Sequence, residues 1–254
     1  MVQTVTCATE WWAQLGLPGP GKDLWDHMAM DNDVLRQAPL FRSLDDEAAS
    51  ALRASMGETR LSRGEVLFHE GDPGDRLYLV TDGKVKLGRT SSDGRENLLA
   101  ILGPGQMFGE LSLFDPGPRS ATVTAVTESS FLSLSHDVMM KWLDGRPQVA
   151  LGMLTQLASR LRKTNEVVAD LVFSDVPGRV SKALLDLADR FGRTADDGIH
   201  VHHDLTQEEL AQLVGASRET VNKALADFAS RGWIRLEPRS VVIIDIERMR
   251  RRAR

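Results

Sequence analysis

From Pro147 onward the chain carries a seam that few folds can accommodate. Ala150, Leu154, Leu157, Leu161, Thr164, Val168 and Leu171 recur at alternating spacings of four and three residues. Such an a/d repeat lays one narrow apolar stripe along a helix, and a matching helix buries that stripe better than the broad face of a domain does. Pro147 suits the first turn, where a missing N–H costs no hydrogen bond. The expectation is a long helix over residues 147–174 that pairs with the same helix of a second copy, giving a parallel homodimer. Thr164 is the polar break in the seam; it either fixes register or faces a ligand.

Before the seam the period changes to that of strands. Glu65-Val66-Leu67-Phe68, Leu77-Tyr78-Leu79-Val80, Lys84-Val85-Lys86-Leu87, Leu98 to Leu102 and Ala121 to Val126 are separated by turn pairs that include Asp82-Gly83 and Asp93-Gly94. The glycine of an Asp-Gly pair takes positive φ readily, so these pairs read as hairpins. Many short strands at near-even spacing, without alternating helices, predict a sandwich or barrel over residues 31–146. Short helical stretches, Val34-Leu35 to Leu40-Phe41 and Asp45 to Met56, lead into it. Residues 1–30, with Trp11, Trp12 and a Gly/Pro cluster, show no sustained period and read as a poorly ordered extension. Gly16 and Gly21-Lys22 match most of a phosphate-loop spacing, but Asp23 replaces the Mg²⁺-binding hydroxyl and two prolines remove N–H donors.

Composition narrows the function classes. No window approaches the roughly 18 consecutive apolar residues of a membrane span, and the N-terminus lacks a secretory pattern, so a cytoplasmic protein with no membrane partner is expected. The single cysteine, Cys7, excludes an internal disulfide and cannot alone hold zinc or an iron–sulfur cluster. His200, His202 and His203 lack a completing cysteine or acid pair, so no metal site is expected. The net charge of −5 is unevenly shared: residues from Asp175 onward hold 14 basic and 13 acidic side chains, the rest 17 and 23. Five arginines lie in the last seven residues, either as phosphate contacts or as a solvated tail.

After Asp175-Val176-Pro177-Gly178, read as a helix-breaking hinge, residues 175–254 predict three helices and a hairpin. The helices are Arg179 to Arg190, Thr206 to Val214 and Ser217 to Ser230; Trp233 to Leu236 then faces Val241 to Ile244. Thr206 and Glu209 form a T-x-x-E capping box stapled by Leu205 and Leu210. Gly215 permits the tight turn and Ser217 caps the next helix. Two short helices joined in this way are a helix-turn-helix. Val221, Ala224, Leu225 and Phe228 share the inward face, leaving Arg218, Glu219, Asn222 and Lys223 outward, where base edges of double-stranded DNA are read. With Ser217 they make the candidate DNA-binding set. No catalytic constellation remains, so the chain is not expected to be an enzyme.

Gly215-Ala216-Ser217-Arg218-Glu219-Thr220-Val221, Phe108-Gly109-Glu110-Leu111-Ser112-Leu113 and Pro118-Arg119-Ser120-Ala121 together resemble the bacterial cAMP receptor protein (catabolite activator protein) family. The resemblance runs from about Met30 to the C-terminus. It implies an α+β chain: an N-terminal β jelly roll that binds a cyclic nucleotide, a long dimerisation helix and a C-terminal winged helix-turn-helix. It implies cAMP as allosteric ligand, held by Gly109, Glu110, Leu111, Ser112, Arg119 and Ser120. Glu110 would take the ribose 2′-hydroxyl and Arg119 the cyclic phosphate. Thr164 and Asn165, one from each subunit, would meet the adenine amino group, although the family's founding member has serine at the second place. RNA polymerase is the implied partner at activated promoters. Two alternatives stay open: Arg119 and Glu110 pair with each other in an empty barrel, and the chain binds DNA independently of any ligand.

Overall fold

A computed structural model describes residues 38, 41 and 46–253, apart from 92–93, 116 and 145, without the side chains of 113 and 156. The expected extension over residues 1–30, the Gly16 to Lys22 spacing and the start of the helical stretch at Val34 lie outside the described residues.

Helix α1 (Asp46–Ala54) opens the described chain. Two four-stranded antiparallel sheets follow. One has the order β1-β8-β3-β6, from Gly57–Leu61, Ser129–Ser135, Arg76–Asp82 and Met107–Phe108. The other has the order β2-β7-β4-β5, from Val66–Phe68, Thr122–Ala125, Val85–Thr90 and Glu96–Leu102. The Asp82-Gly83 pair forms the β3–β4 turn with Gly83 at φ 79°, the left-handed region that this dipeptide favours. Val80, Val85, Leu102, Phe108, Val123 and Phe131 fill the space between the sheets.

The short helix α2 (Leu111–Phe114) interrupts the strands, and α3 (His136–Leu143) leads to α4 (Pro147–Phe173), which begins at the proline. Val149 and Met153 are buried in a second core cluster with Leu52, Leu77, Leu132 and Met139. The helix then leaves the barrel: Leu154 and Leu161 are 63% exposed and Val168 55%. Leu157 departs from this seam pattern, being half-buried.

The break after α4 is shorter than the sequence suggested. Only Ser174 and Asp175 are extended, and α5 already spans Val176–Phe191. Pro177 sits in its first turn, and Asp175 caps it by accepting from Gly178 N at 2.9 Å. Val176-Pro177-Gly178 is therefore a helix start. The C-terminal region also contains a hairpin that the sequence reading did not include, β9 (Gly192–Ala195) with β10 (Gly198–His202). It joins β11 (Ile234–Glu237) and β12 (Ser240–Ile243) in a sheet of order β11-β12-β10-β9. Helices α6 (Gln207–Val214) and α7 (Arg218–Ser230) pack on it through Leu210, Val214, Val221, Leu225 and Phe228. Arg248, Arg250, Arg251 and Arg252 belong to α8 (Ile246–Arg252), whose Met249 is fully buried, and Arg254 lies outside the described residues. Three of them are paired within the chain. Arg248 pairs with Asp245, Arg250 with Glu247, and Arg252 with Asp175 at 2.6 Å.

Candidate functional site

A pocket open to solvent lies against the inner face of the barrel. Gly109, Glu110, Leu111, Ser112, Arg119 and Ser120 all line it, with Phe68, Leu87 and Arg160. The backbone explains how they converge. Gly109 takes φ 82°, where a Cβ would lie 2.8 Å from the Arg119 guanidinium and 2.8 Å from Arg76 O. Gly74, in the loop before β3, is equally tight: a Cβ there would stand 2.7 Å from Arg119 Nε. The two glycines thus leave the room in which Arg119 lies.

Arg119 is 5% exposed. Its guanidinium stacks over the Phe68 ring at 4.2 Å, and Nη1 donates to Arg76 O at 2.8 Å and to Gly109 O at 3.3 Å. Burial pushes its pKa below the ordinary arginine value, against Tyr78, Asp75, Asp72 and Glu110, which raise it. Its Nε is buried without a hydrogen-bond partner, and so is Glu110 Oε2. The two do not form the mutual pair left open by the sequence. Glu110 Oε1 instead accepts from Arg160 Nη1 at 2.6 Å, and Arg160 Nη2 also donates to Met107 O. Arg160, on α4, is a pocket residue that sequence reasoning missed, because the contact spans 50 residues and no local pattern marks it. An unpaired buried donor and an unpaired buried carboxylate oxygen in one cavity are each costly. A ligand carrying an anion and a hydroxyl would satisfy both, so these side chains fit a cyclic nucleotide.

Thr164 and Asn165 are not brought to this pocket. Both are exposed on α4 beyond Arg160, and the Thr164 hydroxyl donates to Arg160 O at 3.0 Å.

In the C-terminal sheet-and-helix unit the capping box is complete. Glu209 N donates to Thr206 Oγ1 at 3.1 Å and Thr206 N to Glu209 Oε2 at 2.8 Å. Gly215 ends α6 in the left-handed region at φ 69°, and Ser217 caps α7 by accepting from Thr220 N at 3.2 Å. Arg179 fastens this turn to the linker, donating to Val214 O, Gly215 O and Ser174 O, a role that no local sequence pattern marks. Ser217, Arg218, Glu219 and Lys223 are exposed at the start of α7, where Lys223 and Glu219 pair at 2.8 Å. Asn222 differs from the outward placement expected for it. It is half-buried, and its Oδ1 is buried without a partner. At the sheet edge Asp197 is held at about pKa 2 by hydrogen bonds from His200 and Arg235. Among the described residues no group of three or more His, Cys, Asp or Glu is placed to hold a metal, and no helix is long and apolar enough to cross a membrane.

A β barrel with a charge-lined pocket, joined by a long helix to a winged helix-turn-helix, defines a DNA-binding transcription regulator of the cyclic-nucleotide-binding class. The comparisons agree: residues 58–146 match the cyclic nucleotide-binding domain and residues 178–252 the Crp-like helix-turn-helix domain. The chain belongs to the family of CRP-like transcriptional regulators, which are not enzymes. It is 55% identical over 223 residues to a CRP-like cAMP-activated global transcriptional regulator of Mycobacterium tuberculosis, covering 88% of this chain and all of that one. Among solved structures it resembles the catabolite activator protein of Thermus thermophilus (36% identity, TM-score 0.50, covering 85% of this chain and 98% of that one). It also resembles the c-di-GMP responsive regulator CLP of Xanthomonas campestris (26% identity, TM-score 0.68, covering 78% and 99%).

Proposed function

We propose that the chain is a cAMP-responsive, sequence-specific transcription regulator that acts as a homodimer on a pseudo-palindromic operator in the cytoplasm, with RNA polymerase as its partner at activated promoters. Its working parts are an extension (residues 1–30), a jelly-roll nucleotide domain (31–146), a dimerisation helix (147–174) and a winged-helix domain (175–254). The observation that carries the ligand is the pair of unsatisfied buried atoms, Arg119 Nε and Glu110 Oε2, in one cavity. Arg119 takes the cyclic phosphate, Glu110 the ribose 2′-hydroxyl, and Gly109, Leu111, Ser112 and Ser120 the close contacts around them. A guanidinium fork suits phosphate oxygens. Thr164 and Asn165 lie on the exposed seam, so they reach a base only in a dimer, where each subunit's helix borders the other's pocket.

On the DNA side, Arg218, Glu219, Asn222 and Lys223 read base edges and Ser217 caps the reading helix. Two recognition helices related by a two-fold axis meet half-sites roughly 34 Å apart, which makes the operator a pseudo-palindrome. Isothermal titration with cAMP, cGMP and c-di-GMP tests the ligand. Tight binding of cAMP alone is expected, preference for c-di-GMP would move the chain toward the Xanthomonas relative's behaviour, and no heat from any of the three would leave a ligand-independent DNA binder. A binding-site selection that returned a non-palindromic sequence would overturn the operator.

A further inference from the structure

Strand β4 has two working faces. On the inner face Val85 is buried in the barrel core and Leu87 lines the nucleotide pocket. On the outer face Lys84, at the strand's start, and Lys86 reach into the winged-helix unit. Lys84 Nζ pairs with Asp204 Oδ2 at 2.5 Å and donates to His202 O at 2.6 Å; Lys86 Nζ pairs with Glu209 Oε1 at 2.6 Å. Glu209 is the acid of the capping box that starts α6, so one of its oxygens holds the first helix of the DNA-binding motif and the other is held by the barrel.

The neighbouring strand is shaped for the same contact. β5 carries a bulge, with Leu87 opposite Ala100 and Gly88 opposite Leu98, so Leu99 has no partner on β4. The extra residue changes the alternation and brings Leu98 and Ile101 to one outer face. There they are buried with Leu205, and Phe191 and Leu213 pack against them. Gly103 admits the Phe191 ring: a Cβ at that position would stand 2.5 Å from Phe191 Cε1. Arg190 Nη1 donates to Ile101 O at 2.9 Å, supplying a partner to the sheet's edge strand.

We infer that Lys84 and Lys86 are positioning residues that dock the winged helix on the outer face of the β4–β5 hairpin. Through Leu87 on the opposite face, the hairpin carries the state of the nucleotide pocket directly to the first helix of the DNA-binding motif. This route lies within one subunit and is separate from the α4–α5 linker. It rests on the proposed nucleotide regulation for its coupling, but the docking itself does not.

The experiment compares the full chain, without nucleotide, as wild type, K84Q/K86Q, K84R/K86R and E209Q, by amide hydrogen exchange over Glu96–Leu102 and Leu205–Val214. E209Q keeps a capping-box side chain and loses the charge. K84Q/K86Q is expected to speed exchange in both segments by roughly 3- to 30-fold, E209Q by less, and K84R/K86R to match wild type. About 1 M salt, where the screening length is about 3 Å, should give the wild type the behaviour of K84Q/K86Q. Unchanged exchange in K84Q/K86Q overturns the docking role. Operator affinity with and without cAMP forms the second arm: in K84Q/K86Q the effect of cAMP on DNA binding should fall by roughly five-fold or more, and the effect of operator on cAMP affinity by the same factor. Faster exchange with an unaltered cAMP effect overturns the coupling route. A wild type whose operator affinity ignores cAMP would refute the proposed regulation and remove the coupling with it, while the exchange arm still decides the docking.

Discussion

The nucleotide pocket and the DNA-reading helix are built on opposite plans. In the barrel, the charged groups are buried, two polar atoms have no partner, and the fold leaves a cavity between them. On α7 the cap is closed, the Lys223–Glu219 pair is exposed to water, and the apolar face packs in one cluster with Val241 and Ile234, although Asn222 Oδ1 is also buried without a partner. A site that encloses a small charged ligand must leave interactions to be completed by that ligand, and it carries the desolvation cost until then. A surface that meets a duplex needs only a rigid helix with correctly spaced side chains, so it can be finished in advance. The helix α4 connects the two plans, since its Arg160 enters the pocket and its far end meets the helix-turn-helix, where a Cβ on Gly215 would lie 3.3 Å from Leu171.

The strongest way to break both sites together is to break the seam. Leu154 and Leu161 are exposed in one subunit, whereas Leu157 is half-buried against the barrel, so L154K/L161K is the cleaner variant. Each leucine buried between subunits is worth about 1.5–3 kcal/mol, and a dimer would lose four of them. Sedimentation velocity at micromolar concentration should show a dimer for wild type and a monomer for the variant, with cAMP and operator affinity both reduced. A monomeric wild type would remove the homodimer from the proposal.

Arg119→Leu attacks the pocket alone. The substitution deletes the buried guanidinium without opening a large void, so circular dichroism should be unchanged. A cyclic phosphate that has lost the buried Arg119 guanidinium should bind about 2–5 kcal/mol more weakly, beyond the range of ordinary titration. Retention of affinity within a few-fold would place the phosphate elsewhere.

The contrast between the two regions also governs what could be read from the sequence. Signals confined to one turn were legible: the Thr206–Glu209 box, Gly215 and Pro147 each act on backbone groups within four residues, and each appears as expected. The Gly-Glu and Arg-Ser segments were found through family resemblance, and the fold brings them to one cavity. Contacts set by tertiary distance were not legible. Arg160 meets Glu110, Arg179 meets the 214–215 carbonyls, and Lys86 meets Glu209 across 123 residues. The β9–β10 hairpin was missed because Gly192-Arg193-Thr194-Ala195 is exposed throughout and shows no apolar alternation. Asn222 is half-buried where helical spacing alone predicts an outward side chain.

His203 is a buried titratable group on the DNA-binding side. It is 7% exposed, and burial lowers its pKa to about 4, helped by Lys84 and His202 and opposed by Asp204 and Glu209. Its Nδ1 accepts from Leu205 N at 3.1 Å, which requires that nitrogen to be unprotonated. The folded state therefore binds the proton less readily than the unfolded chain, whose histidine titrates near 6.5. Stability from this group is complete above about pH 6.5 and is lost as the pH falls toward 4, by up to about 3 kcal/mol. Thermal unfolding of His203→Gln between pH 4 and 7 should show a flatter slope than wild type. Parallel slopes would mean that His203 is not the titrating group.

The reading surface, being finished in advance, should respond to single substitutions modestly and without any change in ligand binding. Arg218 is exposed at the first position of α7, so its proposed contact with a base edge needs no rearrangement of the fold. Arg218→Ala should cost roughly 1–3 kcal/mol per half-site and relax specificity at one base pair, while cAMP affinity stays as in wild type. Asn222→Ala should cost less, because the residue is half-buried and only part of its amide can face the duplex. Neutralising Arg248 and Arg250 should do least, since each is already paired within the chain; any phosphate contact they make would appear as a change in the salt slope of about 0.9 per contact. Fluorescence anisotropy on a labelled operator at several salt concentrations separates the three cases. If Arg218→Ala weakened all sequences equally, its contact would be with phosphate and the base-reading role would pass to Glu219 and Lys223.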